Sequence, residues 1–256
     1  MSSTYKAIRY HVENGIGRIV LNRPEKRNAL NREVLTELHQ AMSESALDPA
    51  VRLILLSGAG SDFCSGADLS GLQRSFEAGE AGALDQMADA RVLAKLFQEM
   101  RSHPRPIVAA VRGRALAGGC GLATACDIIL AAESAQFGYP EVNIGFVPAI
   151  VMAILRRSVP EKRAFELITM GEICSARDFA LVNQVFADET FDIDVDSYTA
   201  RMAAKSASAL QLCKSLLYQM DGMSFESALE AGVQINAIAR MTDDCKRGVE
   251  RFLKKA

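Results

Sequence analysis

The feature that most constrains this chain is an unbroken apolar run at 106–111, followed at once by the small-residue stretch 115–127. A run that is apolar at every position has no solvent face, so it reads as a strand covered on both sides. The stretch after it opens with Ala115-Leu116-Ala117-Gly118-Gly119 and continues in a pattern that a helix can adopt. Gly118 and Gly119 therefore fall where a loop becomes a helix N-terminus. Such a terminus carries unpaired backbone N–H groups and the positive end of the helix dipole. Glycine lets a ligand come close to that backbone, so negative charge on an oxygen can rest there. Taken alone, the glycines fit a helix packed tightly on a strand better than an anion site, because short glycine motifs recur often by chance.

Residues 51–56 form a second buried-strand run. Residues 5–12 and 16–21 are β-rich and flank Asn14-Gly15, a strong hairpin signal. Asn22-Arg23-Pro24 ends the second of these strands, since proline cannot continue a ladder. Asn31 caps a predicted helix to about residue 47, with Val34, Leu35, Leu38 and Met42 on one face. Residues 57–72 read as a loop with a helix start near Asp68, and 84–100 as a helix. Short extended segments follow at 127–131 and 135–138, then a helix at 149–155. From Pro160 onward the pattern is nearly all helix, at 161–170, 176–181, 194–206, 209–220, 225–239 and 243–254. The expectation is an α/β fold, a parallel-sheet core over 1–195 and a helical C-terminal subdomain over 196–256.

Composition removes several function classes. The 256 residues carry a net charge of −2, which gives no reason to expect nucleic acid or an anionic membrane as partner. Asp127 interrupts the best candidate membrane span, and Arg156 and Arg157 end the next. No apolar signal region opens the chain, so a cytoplasmic location is expected. The six cysteines are scattered without a C-x-x-C pair and read as reduced, mostly buried thiols. His11, His39 and His103 have no ligand neighbour at helical spacing, so no metal site is expected. Nucleophile-elbow and phosphate-loop motifs are missing, and Gly118-Gly119 lacks the spacing and downstream acid of a dinucleotide fingerprint.

Two features remain. Phe63-Cys64-Ser65-Gly66-Ala67-Asp68 is a second glycine-bearing loop after a buried strand; with Gly118 it can aim two backbone N–H groups at one oxygen. Glu141 follows Pro140 and precedes Val142, Ile144, Phe146 and Val147. Apolar surroundings raise a carboxyl pKa and suit it to proton transfer. On its own, Glu141 reads better as an exposed loop acid.

The order of short motifs decides between these readings. Asn22-Arg23-Pro24 and Asn28-Ala29-Leu30 come first, then Ser65-Gly66-Ala67-Asp68-Leu69. Ala115 to Cys120 and Cys126-Asp127 follow, then Phe137-Gly138-Tyr139-Pro140-Glu141 and Gly145-Phe146-Val147-Pro148. This series resembles the enoyl-CoA hydratase/isomerase (crotonase) family over essentially the whole chain, with Phe252-Leu253-Lys254-Lys255 fitting its closing helix. The resemblance implies a spiral ββα core, assembled as trimers or paired trimers. It implies an acyl-CoA thioester whose oxygen is held by the N–H groups of Ala67 and Gly118, with coenzyme A entering as substrate and no separate cofactor. It places Lys26, Arg27, Asn28, Ala29, Ala67, Asp68 and Leu69 along the CoA moiety; Asp68 reads equally well as a helix cap.

Departures from the family pattern shape the expected chemistry. Hydratases of this kind carry two glutamates; Glu141 matches the second, and the first falls at Gly121. Hydration adds oxygen and hydrogen to two carbons, a labour that two carboxylates divide, whereas a 1,3-proton shift needs one. The expectation is therefore Δ3-Δ2-enoyl-CoA isomerisation with Glu141 as shuttle. 2-Enoyl-CoA hydration is the alternative, with the Tyr139 hydroxyl helping to place water, and a catalytically weak CoA-binding protein is a third reading. An RNA-binding role known for some relatives finds no basic stripe here. The glycine-rich segment that commonly follows Pro148 is Ala149-Ile150-Val151-Met152, and a lysine near the adenine end is Ser70. Gly121 is expected to leave empty volume for a bulkier or branched acyl group.

Overall fold

The computed structural model describes residues 5–68 and 79–254. Its strands are β1 (Ile8–Glu13), β2 (Ile16–Leu21), β3 (Leu53–Gly58), β4 (Ile107–Val111), β5 (Arg114–Leu116), β6 (Ile128–Ala132), β7 (Gln136–Gly138), β8 (Ile173–Ser175) and β9 (Gln184–Phe186). Its α-helices are α1 (Arg32–Leu47), α2 (Gly79–Ser102), α3 (Gly118–Thr124), α4 (Ala149–Ser158), α5 (Glu161–Met170), α6 (Phe191–Ala203), α7 (Ala207–Gln219), α8 (Phe225–Met241) and α9 (Asp243–Leu253).

β1 and β2 make the expected antiparallel hairpin; the remaining strands of the main sheet are parallel, in the order β1-β2-β3-β4-β6-β9. Every residue of β4 is buried, which is why its sequence has no polar alternation. A smaller sheet runs β5-β7-β8. The hairpin is anchored by a carboxylate rather than by apolar contact alone. Glu37 of α1 accepts from the backbone amides of Lys6 and Ala7 at 2.8 Å and of Ile8 at 3.0 Å. The Asn31 side chain accepts from the Val34 amide, the expected cap of α1.

α6 buries Phe191, Val195, Thr199 and Ala203, one stripe at helical spacing, and packs on β2, β3 and β6. Residues 195 and 196 both lie inside this helix. α7 is tied to the sheet through Asp127 at the start of β6. Its Lys214 ammonium donates to Asp127 Oδ2 at 2.8 Å and to the carbonyls of Met100 and Arg105, and the Tyr218 hydroxyl donates to Asp127 Oδ1. α8 and α9 bury no residue and leave Phe225, Val233, Met241 and Phe252 exposed. Among the described residues no helix is long and apolar enough to cross a membrane.

The nearly all-helical expectation beyond Pro160 is corrected between Ile173 and Phe186. Residues 173–175 and 184–186 are short strands, and 176–181 turns instead of forming a helix. Ala176 and Phe179 are buried at a spacing that imitates a helix face, but the chain there is turning between two strands. β5 is a further unforeseen strand, inside the stretch read as a loop entering a helix; the other elements stand within a few residues of expectation, the helix expected at 84–100 beginning at Gly79 and that at 194–206 spanning Phe191–Ala203.

Candidate active site

Two loops meet because glycines allow it. Gly66 has φ +103°, and a β-carbon there would lie 2.8 Å from the Ala117 β-carbon. A β-carbon on Gly119 would lie 2.3 Å from the Cys64 carbonyl oxygen, so no other residue fits either position. The join is stitched by backbone hydrogen bonds, Leu116 amide to Cys64 carbonyl at 3.0 Å and Cys64 amide to Arg114 carbonyl at 2.9 Å.

This stitching leaves two amides over. Leu30 pairs with Ala67 as an isolated parallel bridge, in which the Leu30 amide donates to Gly66 and the Leu30 carbonyl accepts from Asp68. The Ala67 amide itself is turned away from that ladder. Gly118 is the first residue of α3, where no intrahelical acceptor exists. Among the described residues neither the Ala67 nor the Gly118 amide has an acceptor, and a β-carbon on Gly118 would lie 3.9 Å from the Ala67 nitrogen. Ala117, just before, holds φ 51° and ψ −128°, a backbone region that L residues rarely occupy. Its amide donates to the Gly138 carbonyl, fixing the direction from which Gly118 enters the helix.

The β5–β7 pairing sets Leu116 beside Gly138, so the chain reaches Glu141 three residues beyond the strand that flanks the two amides. Glu141 lies in a short 3₁₀ turn, Pro140–Ile144, and is only 8% exposed. Among the described residues its buried Oε2 has no hydrogen-bond partner. Burial pushes its carboxyl above the ordinary value of 4.5, with its own backbone hydrogen bond opposing in part. Tyr139, two residues before Glu141, is hydrogen-bonded through its hydroxyl to Thr124 Oγ1 at 2.8 Å, which ties this turn to α3. The exposed-acid reading of Glu141 is set aside by this burial.

Position 121 is corrected. The expected empty volume is not there: a β-carbon on Gly121 would lie 2.4 Å from Val151 Cγ2, with Cγ1 at 3.3 Å. Val151 reaches in from α4 and is itself buried. The bulkier acyl group inferred from that volume loses its basis. Tyr139 is also placed differently from expectation. It is fully buried, its hydroxyl is 2.8 Å from Thr124 Oγ1, and burial holds its pKa well above the ordinary value. A phenol so enclosed and partnered is not free to place a substrate water.

The residues expected along CoA are disposed as follows. Lys26 and Arg27 are exposed, and Ala29 is buried. The Asn28 side chain is fully engaged, accepting from the Arg23 amide and donating to the carbonyls of Ala59 and Asp62, so it holds the loop in shape. Asp68 Oδ2 accepts from Arg23 Nη2 at 3.1 Å. Leu69, Ser70, Lys255 and the helix that Asp68 was expected to cap lie outside the described residues. Val151 is the site neighbour that reading the sequence missed. Its signal was present as a pair of departures, a side chain lost at 121 and one gained at 151. Among the described residues no cluster of His, Cys, Asp and Glu could hold a metal.

Comparison with known proteins now joins this geometry. The model of the enoyl-CoA hydratase/isomerase family matches residues 11–256. A Thermus thermophilus protein that bears an enoyl-CoA hydratase name is 38% identical over 248 residues, covering 95% of this chain and 97% of the relative. The crotonyl-CoA hydratase of Syntrophomonas wolfei is 32% identical over 258 residues, covering 98% and 96%. The crystal structure of an enoyl-CoA hydratase from Mycobacterium smegmatis superposes with TM-score 0.91 at 30% identity, covering 98% of this chain and 97% of that one. The chain belongs to the enoyl-CoA hydratase/isomerase family. It is an acyl-CoA enzyme with the crotonase fold.

Proposed function

We propose that this enzyme isomerises 3-enoyl-CoA to 2-enoyl-CoA thioesters, with Glu141 as the sole proton carrier. The Ala67 and Gly118 amides receive the thioester oxygen. Glu141 removes a proton from C2, the electrons pass into a dienolate, and the same proton returns at C4. Fixed donors stabilise charge as it develops on the oxygen, and losing one typically costs about a hundredfold or more in rate. The observation that supports this reading is the buried, unpartnered Oε2 of Glu141, an acid–base group with no second carboxylate at position 121. Lys26 and Arg27, with Asp68 and Leu69, are read as lining the CoA moiety, which is part of the substrate.

Hydration of 2-enoyl-CoA is the competing reading, favoured by the hydratase names of the relatives. A panel of 2-enoyl- and 3-enoyl-CoA thioesters decides. Conjugated absorbance appearing from 3-enoyl substrates is the expected result; its loss from 2-enoyl substrates at a higher rate would assign hydration. No turnover with CoA binding retained would mark a binding protein. The exposed apolar residues of α8 and α9 support assembly as a trimer or hexamer through residues 196–256. Buried free thiols at Cys64, Cys120 and Cys126 fit a reducing cytoplasm.

A further inference from the structure

We propose that Val151 is a specificity-determining residue, a wedge from α4 that holds the α3 side of the acyl pocket against a second acid and against the water such an acid would carry. The inference rests on the reading of Glu141 as proton carrier and deepens it. Gly121 lies three residues after Gly118 in α3, on the same face of the helix. Helical side chains lean toward the N-terminus, so one at 121 would lie back over the turn that presents the Gly118 amide. That is the place from which a second acid would reach a thioester held there. The Val151 methyls already stand in it: a β-carbon on Gly121 would lie 2.4 Å from Cγ2.

Valine suits this task because it is stiff. In a helix its two γ-carbons hold one strongly preferred rotamer, so the methyl does not swing aside for an incoming group. It also has no polar atom with which to hold a water. Hydration needs both atoms of a water accounted for, hydroxyl to C3 and proton to C2. The proton shift adds nothing and removes nothing. On this proposal the valine is a dry wall on the side of the substrate next to the Gly118 turn, which leaves the second reaction intact and disfavours the first. Gly121 and Val151 therefore act as one unit: the space a side chain at 121 would need is the space the valine fills.

Three variants test this, each read by melting temperature and by the ratio of 2-enoyl-CoA hydration to 3-enoyl-CoA isomerisation. Gly121→Glu alone is expected to melt lower and lose both activities, because its side chain meets Val151. The paired swap Gly121→Glu/Val151→Gly is expected to recover folding and raise the ratio by roughly a hundredfold, the lower end of what a placed acid–base group provides. Val151→Ser, which leaves Gly121 alone and so survives if the swap does not fold, is expected to raise the ratio by admitting water. An unchanged ratio in Val151→Ser, or in a folded paired swap, overturns the proposal, as does a Gly121→Glu single variant as stable as the parent. A parent enzyme that hydrates faster than it isomerises would instead overturn the reading of the reaction, and the variants would still report whether Val151 governs the ratio.

Discussion

Glu141→Gln separates catalysis from stability in one substitution. The wild-type carboxyl is 8% exposed and its Oε2 has no partner, so ionising it in place is costly. An unsatisfied buried polar atom costs about 1–3 kcal/mol. Its pKa is raised on folding, so the folded state binds the proton more tightly than the unfolded one. The stability it contributes is present below the unfolded value and is lost as pH rises through the folded value. Glutamine has the same shape and no charge. The two proteins should therefore melt together near pH 4 and diverge as pH rises, the variant being the more stable at neutral pH because its amide carries no charge to desolvate. Turnover should fall by about 10²–10⁴, the usual contribution of a positioned acid–base group, with CoA affinity nearly kept. Scanning calorimetry across pH and a continuous absorbance assay give both numbers. Equal or lower melting temperature at neutral pH would refute the desolvation argument, and turnover within about tenfold of the parent would remove Glu141 from the chemistry.

Ala117→Gly should raise stability by about 1 kcal/mol by relieving the unusual backbone angles, while turnover falls because the Gly118 amide is less firmly aimed; denaturant titration with kcat tests the opposed signs. Gly66→Ala should cost about 1–3 kcal/mol and most of the activity, because its β-carbon meets that of Ala117 at a positive φ; a soluble, fully active variant would contradict the loop geometry. Lys214→Met takes away the cation that the buried Asp127 carboxylate faces and a donor to the Met100 and Arg105 carbonyls, and should cost about 3–5 kcal/mol in urea unfolding. Burial pushes the Cys64 and Cys120 thiols up to about 12 and Cys126 higher still, so these three should resist a thiol reagent at neutral pH until the protein unfolds.

Local chemistry made much of the fold legible. Asn14-Gly15 forecast the hairpin and Asn31 the start of α1, because each acts on a neighbour within three residues. The runs inside β3 and β4 forecast a doubly covered sheet for the same reason: continuous apolarity leaves no wet face. What stayed hidden depends on distant residues. β8 and β9 are three residues each, too short to show alternation, and they form only because β7 and β6 supply their partners. The space beside Gly121 looked empty because its occupant, Val151, comes from thirty positions further along. The Lys214–Asp127 pair is likewise separated by 87 positions, and nothing near either residue hinted at the other. Glu141 lay between these cases: the motif order singled it out as a candidate, and only the folded chain shows that it is buried.

Asp127 also bears on how far this protein can be taken apart. Its carboxylate accepts from the Ile107 amide within the sheet and from Lys214 and Tyr218 of α7, so one side chain belongs to two structural layers. A chain cut after α6 would abandon an acidic group at the sheet margin along with the carbonyls of Met100 and Arg105. Chimeras exchanging helical tails should therefore succeed only when the incoming tail brings a cation and a hydroxyl one helical turn apart.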